Sequence, residues 1–223
     1  QFHVGHVTPV SISANQSLGG VVDIYSNGNL KLNNSGTLSA TVTVKGNAYG
    51  SGTAGGKIEV KETMTFSGTL QQTPDHNGLE ISIDPEKTMT YTGSGINIGS
   101  HTLTLSGGGT FDNTKNLSID KAGSNLSISD NTKVSRVLVS ASGTGNGMTI
   151  SDSDDSVTLV ESLHLGSSLS VTSGAAWSVG SITADRALTF SNDKDLKIGS
   201  LSLTGNAEMS LGASDKTLNV TNP

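Results

Sequence analysis

The chain has 223 residues and no cysteine, with 13 basic against 19 acidic residues and a formal net charge of −6. Only 33% of the residues are hydrophobic and 14% are charged, unlike disordered chains, which pair low hydrophobicity with high charge. Without Cys there is no disulfide framework or thiolate metal site. The acidic balance, with Arg136 and Arg186 as the only arginines, argues against a nucleic-acid partner, and no run of roughly 18 apolar residues supplies a membrane span.

Residues 1–57 carry short apolar alternations at uneven distances: Val10/Ile12, Val22/Ile24, Leu30/Leu32 and Val42/Val44. An irregular β cap or the first coils of a larger array is expected there, with a separate small β-domain as the alternative. From 58 to 223 the spacing becomes regular. Ile58/Val60 and Ile81/Ile83 lead into Leu103/Leu105, and the same apolar–polar–apolar unit recurs from Leu126, Met148, Leu169, Leu188 and Met209 at steps of 19–23 residues. A second series starts at Ile96, Leu117, Val137, Val157, Trp177, Leu196 and Leu218, at steps of 19–22. A weaker third strand shows at Leu163/Leu165 and Leu201/Leu203.

Alternation with period two marks each unit as a half-buried strand, and two interleaved series sharing one period mark a repeating coil. One coil can neither bury its apolar row nor pair its backbone. Parallel coils stacked about 4.8 Å apart do both. The expected fold class is therefore all-β, a parallel β-helix (β-solenoid) with coils of 19–23 residues, in which Leu126 lies over Leu103 and Val137 over Leu117. Ser106, Ser129, Ser151, Thr172 and Ser191 follow the first series, with Gly107, Asp130, Asp152 and Asn192 behind most of them. These are expected to form a corner-stabilising ladder, because such side chains bond nearby backbone groups; a ligand-binding face is the alternative.

Chemistry-bearing patterns are sparse. There is no G-x-S-x-G elbow, H-E-x-x-H or P-loop, and Arg136 and Arg186 fall on different strand series, so no catalytic residue is assigned. No cofactor or metal ligand set is assigned either. Asp152, Asp154 and Asp155 bunch in one turn with oxygen chemistry that suits calcium but without either calcium-binding repeat; a solvated turn is expected, with a weak calcium site as the alternative. His3 and His6 lie near the start, where an uncyclised Gln1 amine and His3 have the spacing of a Cu(II) chelate; a mobile or docked segment is expected instead. His76, His101 and His164 stand apart in sequence and are expected at the surface or at coil corners. Trp177 is expected in the core rather than as a sugar-stacking platform. Thr41/Thr43, Thr88/Thr90 and Thr102/Thr104 do not recur at the coil period, which argues against an ice-binding face.

Coils such as 116–129 (NLSIDKAGSNLSIS) and 195–205 (DLKIGSLSLTG) resemble the passenger domains of autotransporter and filamentous-haemagglutinin-like surface adhesins. The resemblance spans about residues 58–223, rests on period and on Ser/Thr/Asn/Gly composition, and lacks the Asn-Pro-Asn motifs of the haemagglutinin type. It implies a right-handed rod, secreted and displayed at a bacterial cell surface for adhesion, self-association or biofilm formation, and carries over no functional residue. Gln1 in place of Met fits a product whose targeting segment has been removed. The apolar pair Leu218/Val220 just before Pro223 fits a fragment or a head-to-tail filament. The expected function is a non-catalytic extracellular structural or adhesive protein that associates with itself, head-to-tail or laterally, or with a glycan or host surface. A carbohydrate-binding or polysaccharide-cleaving, tailspike-like β-helix is the alternative.

Overall fold

Short alternating segments separated by Gly, Asn and Asp turns cannot build helices, and among the described residues there are none. The computed structural model describes residues 1–5, 9–13, 18–46, 55–140, 146–212 and 215–220. Every strand pairing in it is parallel, and the chain winds as a β-solenoid of about nine turns.

Three faces enclose one apolar core. The first is a ten-stranded sheet running from Val10–Ile12 to Glu208–Ser210. The second begins at Thr37–Leu38 and continues through Met64–Phe66, Thr88–Tyr91 and Thr110–Asn113. The third starts as a four-stranded sheet of Phe2–Val4, Val21–Ile24, Thr41–Val44 and Leu70–Gln72. Ile96–Asn97 and Leu117–Ile119 then pair with each other and lead onto Val137–Val139. From residue 133 onward the second and third faces fuse into single long strands: Lys133–Val139, Thr158–Leu165, Trp177–Ala184 and Leu196–Leu203.

The stacking expected from the sequence is present: Leu103 pairs with Leu126, and Leu117 with Val137. Four register assignments differ from the expected ones. Met148 stacks on Val171 rather than Leu169, Leu169 on Phe190 rather than Leu188, and Met209 on Phe190 rather than Leu188, so the first face slips by two residues in its last coils. Likewise Leu103/Leu105 stacks on Leu79/Ile81 rather than Ile81/Ile83. A two-residue slip keeps each side chain on the same side of the sheet, so alternation alone does not resist it.

The second series splices two columns. Val137 is followed by Leu163, Ile182 and Leu201, whereas Trp177, Leu196 and Leu218 form a column of their own. The weaker third strand is thus a full face. Its junction with the second face has a signature: inward residues three apart, as in Val134/Val137, Val160/Leu163, Val179/Ile182 and Ile198/Leu201. The chain bends there without leaving the strand.

Core packing follows the columns. Phe66, Tyr91 and Phe111 stack through three coils, with ring centroids 5.2 Å and then 6.2 Å apart. The Tyr91 hydroxyl, buried at the next corner, accepts the Leu70 N–H at 3.2 Å. Trp177 is fully buried, as expected, and its indole N–H donates to Asn192 Oδ1 at 2.8 Å. That contact explains why Asn192, predicted in a turn, instead lies inside and in register with Val171.

Where the long strands bend, Gly180 and Gly199 stack over Glu161. A Cβ on Gly199 would lie 2.4 Å from the Gly180 carbonyl oxygen, and one on Gly180 would lie 2.5 Å from that of Glu161. Backbone cannot retreat from such a contact without opening the coil spacing. Gly199→Ala is therefore expected to lower stability by about 1–3 kcal/mol. Gly19→Ala, where nothing lies within 4 Å of the added methyl group, should stay within about 0.5 kcal/mol of the parent. Urea unfolding followed by circular dichroism checks both, and equal midpoints for the two variants would contradict the account of the bend.

Candidate functional site

On the outer side of the first face one row runs in register from Asn29 through Lys57, Glu80, Thr104, Ser127 and Thr149 to Thr172. Its early part is charged. Lys57 Nζ lies 3.0 Å from Glu80 Oε1, and the Ser106 hydroxyl donates to the same oxygen at 2.7 Å. In the neighbouring row Glu59 accepts from the Asn29 amide at 2.5 Å and lies 3.2 Å from Lys61, which reaches Asp84 at 2.9 Å. Burial opposes ionisation of Glu59, but the hydrogen bonds from Asn29 and Lys61 outweigh it and hold the carboxyl below its ordinary value.

From Thr102 onward the same face changes character. The strands Thr102–Ser106, Asn125–Ile128, Gly147–Ile150, Leu169–Ser173 and Thr189–Asn192 contain no charged residue, and their outward positions are Thr, Ser, Asn and Gly. Beside the charged part lies a recess of about 410 Å³, floored by Gly55, Gly56 and Gly78 and walled by Asn29, Lys57 and Glu80, with Thr102 and Thr104 at its far end. Along its floor the backbones approach closely: a Cβ on Gly55 would lie 2.3 Å from the Gly78 carbonyl oxygen, and one on Gly78 2.9 Å from that of Thr102.

A second recess, of about 500 Å³, lies at the corner between the third and first faces. His76 and His101 occupy successive corners there, with ring centroids 4.0 Å apart, and Asp120 and Lys121 line the next coil. His76 is only 2% exposed. Its Nδ1 accepts the Gly78 N–H at 2.9 Å, and the His101 Nε2 lies 3.3 Å from the Pro74 carbonyl oxygen. Asp120 accepts the Gly99 N–H at 2.9 Å. The expectation that His76 and His101 stand apart is thus corrected: coil stacking brings them together, and their 25-residue separation, close to one coil, is the signal that finds them.

Asp152, Asp154 and Asp155 are exposed; Asp154 accepts the Ser156 N–H and its own N–H donates to Asn131. Among the described residues no group of three or more His, Asp or Glu side chains is arranged to hold a metal ion. Gln1 and His3 dock on the next coil, where Gln1 Nε2 donates to Asp23 at 2.6 Å and His3 Nδ1 lies 3.5 Å from the same carboxylate; His6 lies outside the described residues. The hydroxyl ladder splits at the register slip. Ser106, Ser129 and Ser151 align at the strand ends, while Thr172 joins Thr149 on the open face. Gly107, Asp130 and Asp152, one place beyond the ladder, share the left-handed conformation with φ of 92°, 56° and 52°, which Gly and Asp adopt most readily. Arg136 contributes its backbone to the corner, donating its N–H to and accepting from the Asn113 amide, and Arg186 sits exposed beside Asp185. His164 lies in the long strand Thr158–Leu165, paired with Leu138 and Thr183.

Burial, and then the charge of His101, push the His76 pKa below the ordinary histidine value of 6.5, so the ring is held neutral in the fold. The unfolded chain then binds more protons near and below pH 6.5, and stability present above that pH is lost as the pH falls toward the folded-state pKa. Thermal unfolding measured from neutral to mildly acidic pH should show this loss. His76→Asn, which keeps an acceptor for Gly78 but cannot titrate, should flatten the profile, and an unchanged profile would remove His76 as its source.

No family model, curated protein or solved structure matches the chain.

Proposed function

We propose that the chain is a non-catalytic, extracellular structural and adhesive rod, displayed at a bacterial cell surface and able to associate with itself. One observation carries this reading: the corner carboxylates brace the coil. Asp120, Asp130, Asp193 and Asp195 each accept a backbone N–H from a neighbouring coil, of Gly99, Gly107, Ser173 and Thr217 respectively, at 2.8–3.0 Å. Carboxylates used in this way stiffen a scaffold, whereas an acid–base pair for hydrolysis needs carboxyl groups free to meet a substrate. Self-association draws support from exposed apolar side chains at two separate places, Leu218 (36%) and Val220 (40%) beside the start of Leu196–Leu203 and Leu203 (41%) at its far end, which contact with another molecule would cover.

Sedimentation velocity over a wide concentration range, together with retention of cells on beads carrying the purified chain, tests the reading. Concentration-dependent assembly that weakens in Leu218→Lys/Val220→Lys, with cells retained on the beads, is expected. A strict monomer that retains no cells would overturn it.

A further inference from the structure

We propose that the first face binds an extended, uncharged polysaccharide lying along the rod axis, with the glycine-floored recess as its deepest subsite. The inference rests on the adhesive reading and names the ligand class for it. The row from Asn29 to Thr172 crosses seven strands, which at the spacing of paired strands spans roughly 30 Å. After the Asn29 amide and the Lys57–Glu80 pair, the row offers a hydroxyl on each of four successive coils, from Thr104 to Thr172, and such a periodic array suits a ligand that itself repeats hydroxyl groups along a line.

Charge narrows the class. In the recess the one cation, Lys57, is paired with the one carboxylate, Glu80, and beyond Thr102 the outward positions are uncharged for five strands. The lysines of the face, Lys31, Lys57 and Lys61, are each paired with a carboxylate, so no uncompensated cation greets a polyanion, and the net charge of −6 repels one. The recess adds the grip that a flat face lacks. Gly55 and Gly78 let successive backbones approach closely, since a Cβ on Gly55 would lie 2.3 Å from the Gly78 carbonyl oxygen and one on Gly78 2.9 Å from that of Thr102; the recess they floor, with Lys57, Glu80 and Asn77 in its lining, has room for a sugar ring. In its wall Asn29 Oδ1 is buried and accepts no hydrogen bond from the described residues, while the same amide donates to Glu59. Each hydroxyl contact replaces a bond to water and contributes little by itself, so binding must build up over several coils.

Affinity electrophoresis of the purified chain through gels containing a soluble β-1,3-glucan, a β-1,4-mannan, dextran or polygalacturonate tests the proposal. Retardation by at least one neutral polymer and none by polygalacturonate is expected. The variant Thr104→Val/Ser127→Val/Thr149→Val/Thr172→Val keeps strand-forming side chains but deletes the hydroxyl row, and should bind about tenfold more weakly or worse. Ser162→Val/Thr183→Val on the other faces should bind as the parent does. Circular dichroism confirms that all variants are folded. No retardation by any neutral polymer, retardation by polygalacturonate alone, ice-growth inhibition without glycan binding, or an unaffected quadruple variant would each overturn the proposal. The bead assay separates the two ideas: cells retained equally by parent and quadruple variant leave the adhesive reading standing and remove this face from it, whereas loss of retention together with loss of glycan binding supports both.

Discussion

Stacking coils in parallel satisfies the backbone along each strand, but at every corner the chain turns out of the sheet and its N–H and C=O groups must find partners elsewhere. In this solenoid, side chains from the adjacent coil supply many of them. Asn113 shows the arrangement most fully: its Oδ1 accepts from the Ser135 and Arg136 N–H groups, and its Nδ2 donates to the Lys115 and Arg136 carbonyls. One buried amide thus ties three points of two coils together. Thr132 accepting from Gly108, and Asp130 from Gly107, repeat the principle at the next corner. Because each brace reaches only to a neighbouring coil, the stability of the rod is a sum of local terms rather than the property of one central core.

The outer surface divides along the axis. In the early coils Lys31, Glu59, Lys61 and Asp84 form a chain of ion pairs across the first face, and a second pair joins Lys87 to Glu62. Exposed pairs of this kind contribute little to stability, but Glu59, only 13% exposed at its side chain, needs its partners to remain charged. Past Thr102 the same columns carry hydroxyls. The core beneath is continuous across the change, so the division belongs to the surface and to what the surface meets, not to folding.

Much of this was legible in the sequence and some was not, for definite reasons. The period of the coil could be read because inward residues such as Leu103 and Leu126 are large, alternate strictly and are flanked by turn formers. Exact register could not, since Leu169 and Val171, or Leu188 and Phe190, are equally apolar and two residues apart. The third face was hidden by its bend: a strand that turns at Gly180–Ser181 places Val179 and Ile182 inward at a spacing of three, which reads as noise against a period of two. Trp177 could be assigned to the core, but its partner Asn192 could not, because an Asn after a strand resembles any turn residue. The His76–His101 pair and the Lys57–Glu80 wall join residues more than 20 positions apart, and they appear only once the coils are laid over one another. The repeat specifies a shape and names no partner.

The single tryptophan and the three tyrosines divide the rod in a further way. Tyr25, Tyr49 and Tyr91 all lie in the first 91 residues, whereas Trp177 sits among the last coils with its indole N–H held by Asn192. Indole fluorescence therefore reports on the closing windings, and the signals of Tyr25 and Tyr91 on earlier ones. In an array whose units interact with nearest neighbours alone, one end can fray while the other holds. Melting curves from the two chromophores then come from two separate places along the same axis, and a gap between them measures how far an opening at one end propagates.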